Sequence, residues 1–374
     1  MAPPDRRALG LVLAALPLRL LLALATDLSP DEAYYVAASR LRLTIADHPP
    51  LTPWLAGITE STAIPLELRV RWPALVVGTM FGLLCVELVR RRGGDASSQR
   101  WCAMFAAWLA LPLAGGFLLT PDVVSLTFAL ALALVLEVDH EHRVLQVIGI
   151  AILCFGGMVT KISMLIPAAA VIMSSKRWSE RVAVVGGVIA ALPLAAPSIA
   201  FQWNHAFVDR SAAVGAPAAV AAAVGAQLML WGPAVFWFGW RRAMDHRFDR
   251  IIVGLMTVLV IASAALRGVP PEPNWFALGA VMLAVGASHA MHAAPTWLRI
   301  TTVILGPVLT LLFASHVIHP WLPLPANVDP SARLHGWSTG KGPEQAPGIG
   351  PYGPSAEACV YQDKCEQITL KSNR

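Results

Sequence analysis

Residues 8–35 read ALGLVLAALPLRLLLALATDLSPDEAYY. The apolar run at 8–26 is long enough to cross a hydrocarbon core of about 30 Å at about 1.5 Å per residue. It delivers the chain straight into Asp31-Glu32-Ala33-Tyr34-Tyr35, and Asp47-His48-Pro49-Pro50-Leu51 follows twelve residues later. Three carboxylates, a histidine and two tyrosines thus crowd the first polar loop of an apolar chain. Ionisable groups beside a membrane span are costly to keep there, so this cluster points to chemistry.

The apolar pattern recurs along the chain. Its 374 residues are 56% hydrophobic and 14% charged, with a mean hydropathy of +0.61; a soluble domain carries roughly 25% charged residues. Runs at 8–26, 69–89, 101–119, 122–138, 144–160, 162–174, 182–200, 216–239, 251–266, 275–291 and 300–318 predict an all-α polytopic membrane protein. The reading is a bundle of about eleven transmembrane helices in residues 1–320, with a first external loop at 27–68 and a short tail at 321–374. The run at 162–174 is short, and Thr120-Pro121-Asp122 makes a tight turn between two spans. The tail is Pro- and Gly-rich around Gly348–Pro354, too loop-like for an independent domain. The net charge of +5 is dispersed over loops. With no basic-aromatic domain to gather it, nucleic acid is excluded as a partner.

Basic residues set the orientation. With the N-terminus cytoplasmic, inner segments hold Arg6-Arg7, Arg90-Arg91-Arg92, Lys176-Arg177 and Arg241-Arg242, while outer segments hold fewer cations. Eleven crossings then place the tail outside, where Cys359 and Cys365 would close a short disulfide loop in an oxidising compartment. Cys85, Cys102 and Cys154 lie in apolar runs and read as small buried side chains. Arg6-Arg7, an apolar core and Ala23-Leu24-Ala25 also fit a cleaved signal peptide. Retention is the expectation, because the acidic loop begins only a few residues later and needs an anchoring helix.

On this topology the polar motifs gather on the outer face: Asp31, Glu32, Asp47, His48, Arg69, Arg71, Asp122, Lys161, Asn204, Arg267, Glu272 and Asn274. Acids and cations together suit group transfer from a lipid phosphate. A carboxylate takes the proton of an acceptor hydroxyl, and cations or a divalent metal neutralise the departing phosphate. No Gly-rich phosphate loop of the P-loop type is present. Plainer readings stand beside these. Ser29-Pro30-Asp31-Glu32 is a fair helix start, with acids favoured near its N-terminus. Tyr34, Tyr35 and the Trp231–Trp240 stretch suit an interfacial belt. Asp122 suits a cap, Lys161 a snorkelling side chain, and Arg69 and Arg71 span anchors.

The ordered set Asp31-Glu32-Ala33-Tyr34-Tyr35, Asp47-His48-Pro49-Pro50-Leu51, Arg71-Trp72-Pro73, Thr120-Pro121-Asp122, Thr160-Lys161, Trp203-Asn204, Glu272-Pro273-Asn274-Trp275, Asp329-Pro330 and Ala332-Arg333-Leu334-His335-Gly336-Trp337 resembles the GT-C superfamily of integral-membrane glycosyltransferases. Within it, the similarity is to the bacterial protein O-mannosyltransferase and aminoarabinose-transferase branch, over about residues 8–340. The resemblance implies a GT-C bundle in the bacterial inner membrane with catalytic outer-face loops. It implies an inverting hexosyl or pentosyl transfer from a polyprenyl-phosphate-linked donor to a lipid A, glycolipid, glycan or protein acceptor. It maps the base to Asp31, a second acid to Asp122 and a phosphate or donor contact to Lys161; Arg69, Arg71, His48 and Arg267 are further phosphate or donor candidates by residue type and outer-face position. Glu32, Tyr34, Tyr35, Asp47, Asn204, Glu272 and Asn274 take supporting places, and Asp31 with Glu32 is the place for a divalent metal (Mg or Mn) if one is used. Relatives with a sizeable C-terminal soluble domain differ from this chain, whose tail is short. The competing class is a transporter or flippase of a polyprenyl-linked glycolipid, although no internal repeat is seen and the charges sit at one interface rather than the midplane.

Overall fold

The computed structural model describes residues 3–41, 48–58, 63–138, 142–205, 214–326, 329, 331–340, 342 and 353–365, leaving aside the side chains of 204, 205, 273 and 305. Every regular element among these residues is helical. The first span comprises α1 (Arg6–Ala14) and α2 (Leu16–Ala25), and α3 (Pro30–Arg40) carries the Asp-Glu motif. The short helix α4 (Leu51–Gly57) follows Pro49-Pro50, and α5 (Leu66–Arg91) is the second span. The run at 101–119 is broken: α6 (Ala96–Trp108) stops at Leu109, whose φ and ψ of −86° and 155° are extended, and α7 (Ala110–Gly115) begins afresh. Next come α8 (Pro121–Leu136), α9 (Arg143–Thr160), α10 (Leu165–Ser174) and α11 (Trp178–His205).

The run at 216–239 is also broken. It divides into α12 (Ala216–Trp231) and α13 (Pro233–Ala243), which meet at 95°. Gly232 adopts φ +77°, a conformation that glycine enters freely, and Pro233 has no N–H with which to continue the helix. The bundle is completed by α14 (Arg247–Arg267), α15 (Ala277–Ala290) and α16 (Thr296–Ile318), and α17 (Gly353–Gln362) lies in the tail.

Among the described residues seven helical segments are long and apolar enough to cross a membrane, or eight with the bent pair. These segments do not confirm the count of eleven crossings. The 16 residues of α8 reach only about 24 Å at about 1.5 Å each, short of a core of about 30 Å. The stretch at 162–174 starts with a 3-10 turn and leaves α10 only 10 residues. The multi-pass helical architecture itself is as expected.

Helix α15 is buried on every side from Ala277 to Ser288, as a helix apolar all round must be. It meets α13 where Gly239 lies so close that an added Cβ would stand 2.2 Å from the Leu283 carbonyl oxygen. Backbone contact of this kind is how small residues hold helices together where lipid supplies no hydrophobic drive. Trp237 and Trp240 point outward, as a belt requires, but Trp231 is 2% exposed and belongs to the core. Cys85, Cys102 and Cys154 are buried free thiols.

The two ends of the bundle differ in chemistry. At the far end of α5, Arg92 pairs with Asp249 at 2.5 Å and Glu137 at 2.9 Å, while Arg90 and Arg91 pair with Glu87. At the near end the tail folds back onto the first loop. Asp27 N–H donates to the Leu334 carbonyl (2.9 Å), and the Trp337 N–H donates to Asp27 Oδ2 (2.9 Å). The helix α17 packs on α3, its Tyr361 hydroxyl donating to Glu67 Oε1 and accepting from the Leu28 N–H. Cys359 and Cys365 are joined in a disulfide. The described part of the tail is therefore a wall of the first loop, where its composition suggested loop alone.

Candidate active site

The start of α3 separates the two acids of the motif. Ser29 is the N-cap: its hydroxyl accepts from the Glu32 N–H, and the Glu32 carboxylate accepts from the Ser29 N–H, a reciprocal capping box with Pro30 at the first helical position. Glu32 thereby points inward and is fully buried. There it accepts from Arg71 Nε (3.0 Å) and Nη2 (2.8 Å), and from the Leu119 N–H (2.9 Å). Arg71 is equally buried. It also donates to the carbonyls of Ala23, Thr26 and Asp27 and to the Thr26 hydroxyl, and it lies over the Phe117 ring. With its donors consumed by protein oxygens, Arg71 has none left for a phosphate. Its work is to lock the first loop, α5 and the segment leading to Asp122 into one unit.

Asp31, about 100° around the helix from Glu32, is 32% exposed and pairs with Arg333 Nη2 at 2.7 Å. Arg333 comes from the 3-10 turn Ala332–Leu334 in the tail, and reading the sequence gave it no site role. Nearby in the chain fold, Leu119 leads through Thr120 into α8, where Asp122 sits in the first turn. Lys161 breaks α9 with an extended backbone (φ −155°) and sends Nζ to Asp122 Oδ1 at 2.5 Å. Asn274 Nδ2 donates to Asp122 Oδ2 at 2.9 Å. Asp122 and Lys161 are each 20% exposed, so this triad faces the surface rather than a sealed core.

The remaining candidates lie around these groups. Tyr34 and Tyr35 are 2% exposed and belong to the core beneath α3, not to a belt; Tyr35 meets the His48 ring edge-on at 6.0 Å between centroids. Arg69 is half-buried in the first turn of α5. Arg267 ends α14 before a left-handed Gly268. Glu272 is exposed, and its carbonyl accepts from the Trp275 N–H. Asp47 and the Asn204 side chain fall outside the described residues.

The Asp31–Glu32 pair does not suit a divalent ion. Hydrogen-bond donors already occupy both Glu32 oxygens, whereas Mg or Ca requires carboxylate oxygens free to coordinate. No group of three or more His, Cys, Asp or Glu side chains fit to hold a metal comes together among the described residues.

Comparison with known proteins bears on this geometry. Residues 47–201 match the family described as dolichyl-phosphate-mannose-protein mannosyltransferase. The structure superposes on ArnT from Cupriavidus metallidurans in the apo state with a TM-score of 0.60 and 14% identity, over 87% of this chain and 67% of that one. The chain has the helical membrane fold of ArnT. Against the same ArnT bound to undecaprenyl phosphate the TM-score is 0.54 at 17% identity, over 86% and 67% of the two chains. No curated protein sequence matches. In this fold Glu32, the approach to Asp122 and Lys161 lie at the same end of the bundle.

Proposed function

We propose that this GT-C protein is an inverting glycosyltransferase taking a sugar from a polyprenyl-phosphate donor to an acceptor hydroxyl. The supporting observation is the division of labour in the motif: Glu32 is immobilised in the scaffold, while Asp31 remains accessible on the same helix turn. Asp31 accepts the acceptor's hydroxyl proton as the oxygen attacks the anomeric carbon. The bond from that carbon to the phosphate oxygen breaks on the opposite face, so configuration inverts and polyprenyl phosphate leaves with its electron pair. Lys161 keeps two of its three ammonium donors after binding Asp122, and these neutralise the leaving phosphate. Asp122 and Asn274 hold the lysine in place.

On this reading the site faces the periplasm of a bacterial inner membrane. The arginine-rich end around Arg90, Arg91 and Arg92 is then cytoplasmic. A disulfide beside α3 fits the oxidising side. The ligand of one ArnT structure, undecaprenyl phosphate, is the class of carrier proposed here. Mass spectrometry of envelope glycolipids and glycoproteins from a deletion strain and its complemented parent tests the proposal. One glycan-bearing species should lose a single sugar and regain it on complementation. An unchanged envelope glycan profile would reject the reading.

A further inference from the structure

The tail helix α17 presents an unusual group to the catalytic-loop helix. Glu357 is 2% exposed, and neither carboxylate oxygen has a hydrogen-bond partner among the described residues. It is set among Ala356, Cys359 and Val360, which pack with Leu28, Ala33 and Tyr34 in one apolar cluster. The charged groups that reach it are Asp31 and Glu32 of α3, Asp27 of the preceding loop, Arg71 of α5, and the Tyr361 hydroxyl of its own helix. Three of those are carboxylates, and the one arginine is already bonded to Glu32. A buried carboxylate with no donor, facing other carboxylates, is costly in its ionised form and much less so when neutral.

The rest of the docking surface is satisfied. Tyr361 bridges Glu67 and the Leu28 N–H, and Arg40 reaches the Cys359 and Val360 carbonyls at the end of α17. The disulfide between Cys359 and Cys365 closes that same end. Glu357 is therefore the one member of this interface that opposes docking, and it does so only when charged.

We propose that α17 docks onto α3 with Glu357 protonated, so that the tail is a pH-gated cover on the helix that carries Asp31. Burial first, then Glu32 and Asp27, hold the docked Glu357 carboxyl well above its ordinary range. An undocked Glu357 returns to the ordinary carboxylate range. Docking is therefore complete below the ordinary value and weakens as pH rises toward the docked one, by up to about tenfold per pH unit. Acid closes the cover and alkali releases it. The inference is independent of the sugar-transfer reading.

Hydrogen-exchange mass spectrometry on the full-length protein in lipid nanodiscs tests it, with rates corrected for intrinsic chemistry from about pH 6 to about pH 9. Peptides from residues 353–362 should open progressively more as pH rises, up to about tenfold per unit, while α9 peptides stay constant. Glu357→Gln should hold the tail at one level of protection throughout. If that variant does not fold, Glu357→Leu serves, and the wild-type profile is decisive by itself. A flat wild-type profile, tail and α9 opening in parallel, or a Gln or Leu variant that keeps the wild-type pH dependence would each overturn the proposal.

Discussion

Glu32 and Arg71 form an ion pair in which both side chains are fully buried, with Nη2 and Oε2 2.8 Å apart. The pair joins the first loop to the second span, and through the Leu119 N–H it also fixes the approach to Asp122. Deleting one partner strands the other charge in the bundle, which costs about 3–5 kcal/mol. Glu32→Ala and Arg71→Ala should each lower thermal stability in detergent by about that amount. The double variant should lose less than the sum, because no lone charge remains. Additive losses would mean that the two residues act separately.

Lys161 and Asn274 meet on Asp122. Lys161→Met removes a charged donor worth about 1.5–3 kcal/mol, so kcat/KM for a polyprenyl-phosphate-sugar donor should fall roughly ten- to hundredfold with folding retained. Lys161→Arg should recover part of it. Steady-state kinetics over a range of donor concentrations checks this, and an unchanged kcat/KM would remove Lys161 from the phosphate site.

Two glycines in neighbouring helices should respond with opposite sign. An alanine at Gly239 would drive its Cβ to 2.2 Å from the Leu283 carbonyl and push α13 off α15, whereas nothing lies within 4 Å of a Cβ at Gly254 in α14. Gly239→Ala should cost about 1–3 kcal/mol. Gly254→Ala should stabilise α14 by up to about 1 kcal/mol. Thermal unfolding of the two variants in one detergent reads both.

Much of the architecture was legible because hydropathy constrains a membrane chain so tightly, and the outer cluster was legible because charges beside spans are rare. The breaks were harder. Gly232-Pro233 is a turn signal written in the sequence, yet the apolar residues on both sides concealed the 95° bend. Within the site, the division of roles between Asp31 and Glu32 depends on helix phase and on an arginine 39 residues away. Spacing alone carries neither: Glu32 does cap α3, one of the readings open to it, but its buried pairing with Arg71, which read as a phosphate contact or a span anchor, appears only in the fold. Arg333 reaches Asp31 from 302 residues downstream, a pairing that only the folded tail creates. The spacing of Ala356, Cys359 and Val360 did mark an apolar helix face at 353–362, but the surrounding Gly and Pro residues obscured it.

The most direct test of the account is sugar transfer by purified Asp31→Asn in nanodiscs, with a polyprenyl-phosphate-linked sugar as donor and the acceptor identified from the deletion strain. Asp31 is one-third exposed, so the loss of its pair with Arg333 should change stability by no more than about 1 kcal/mol. Turnover should fall about 10²- to 10⁴-fold while donor binding and thermal unfolding stay near wild type. Wild-type turnover by Asp31→Asn would contradict the assignment of Asp31 as the base.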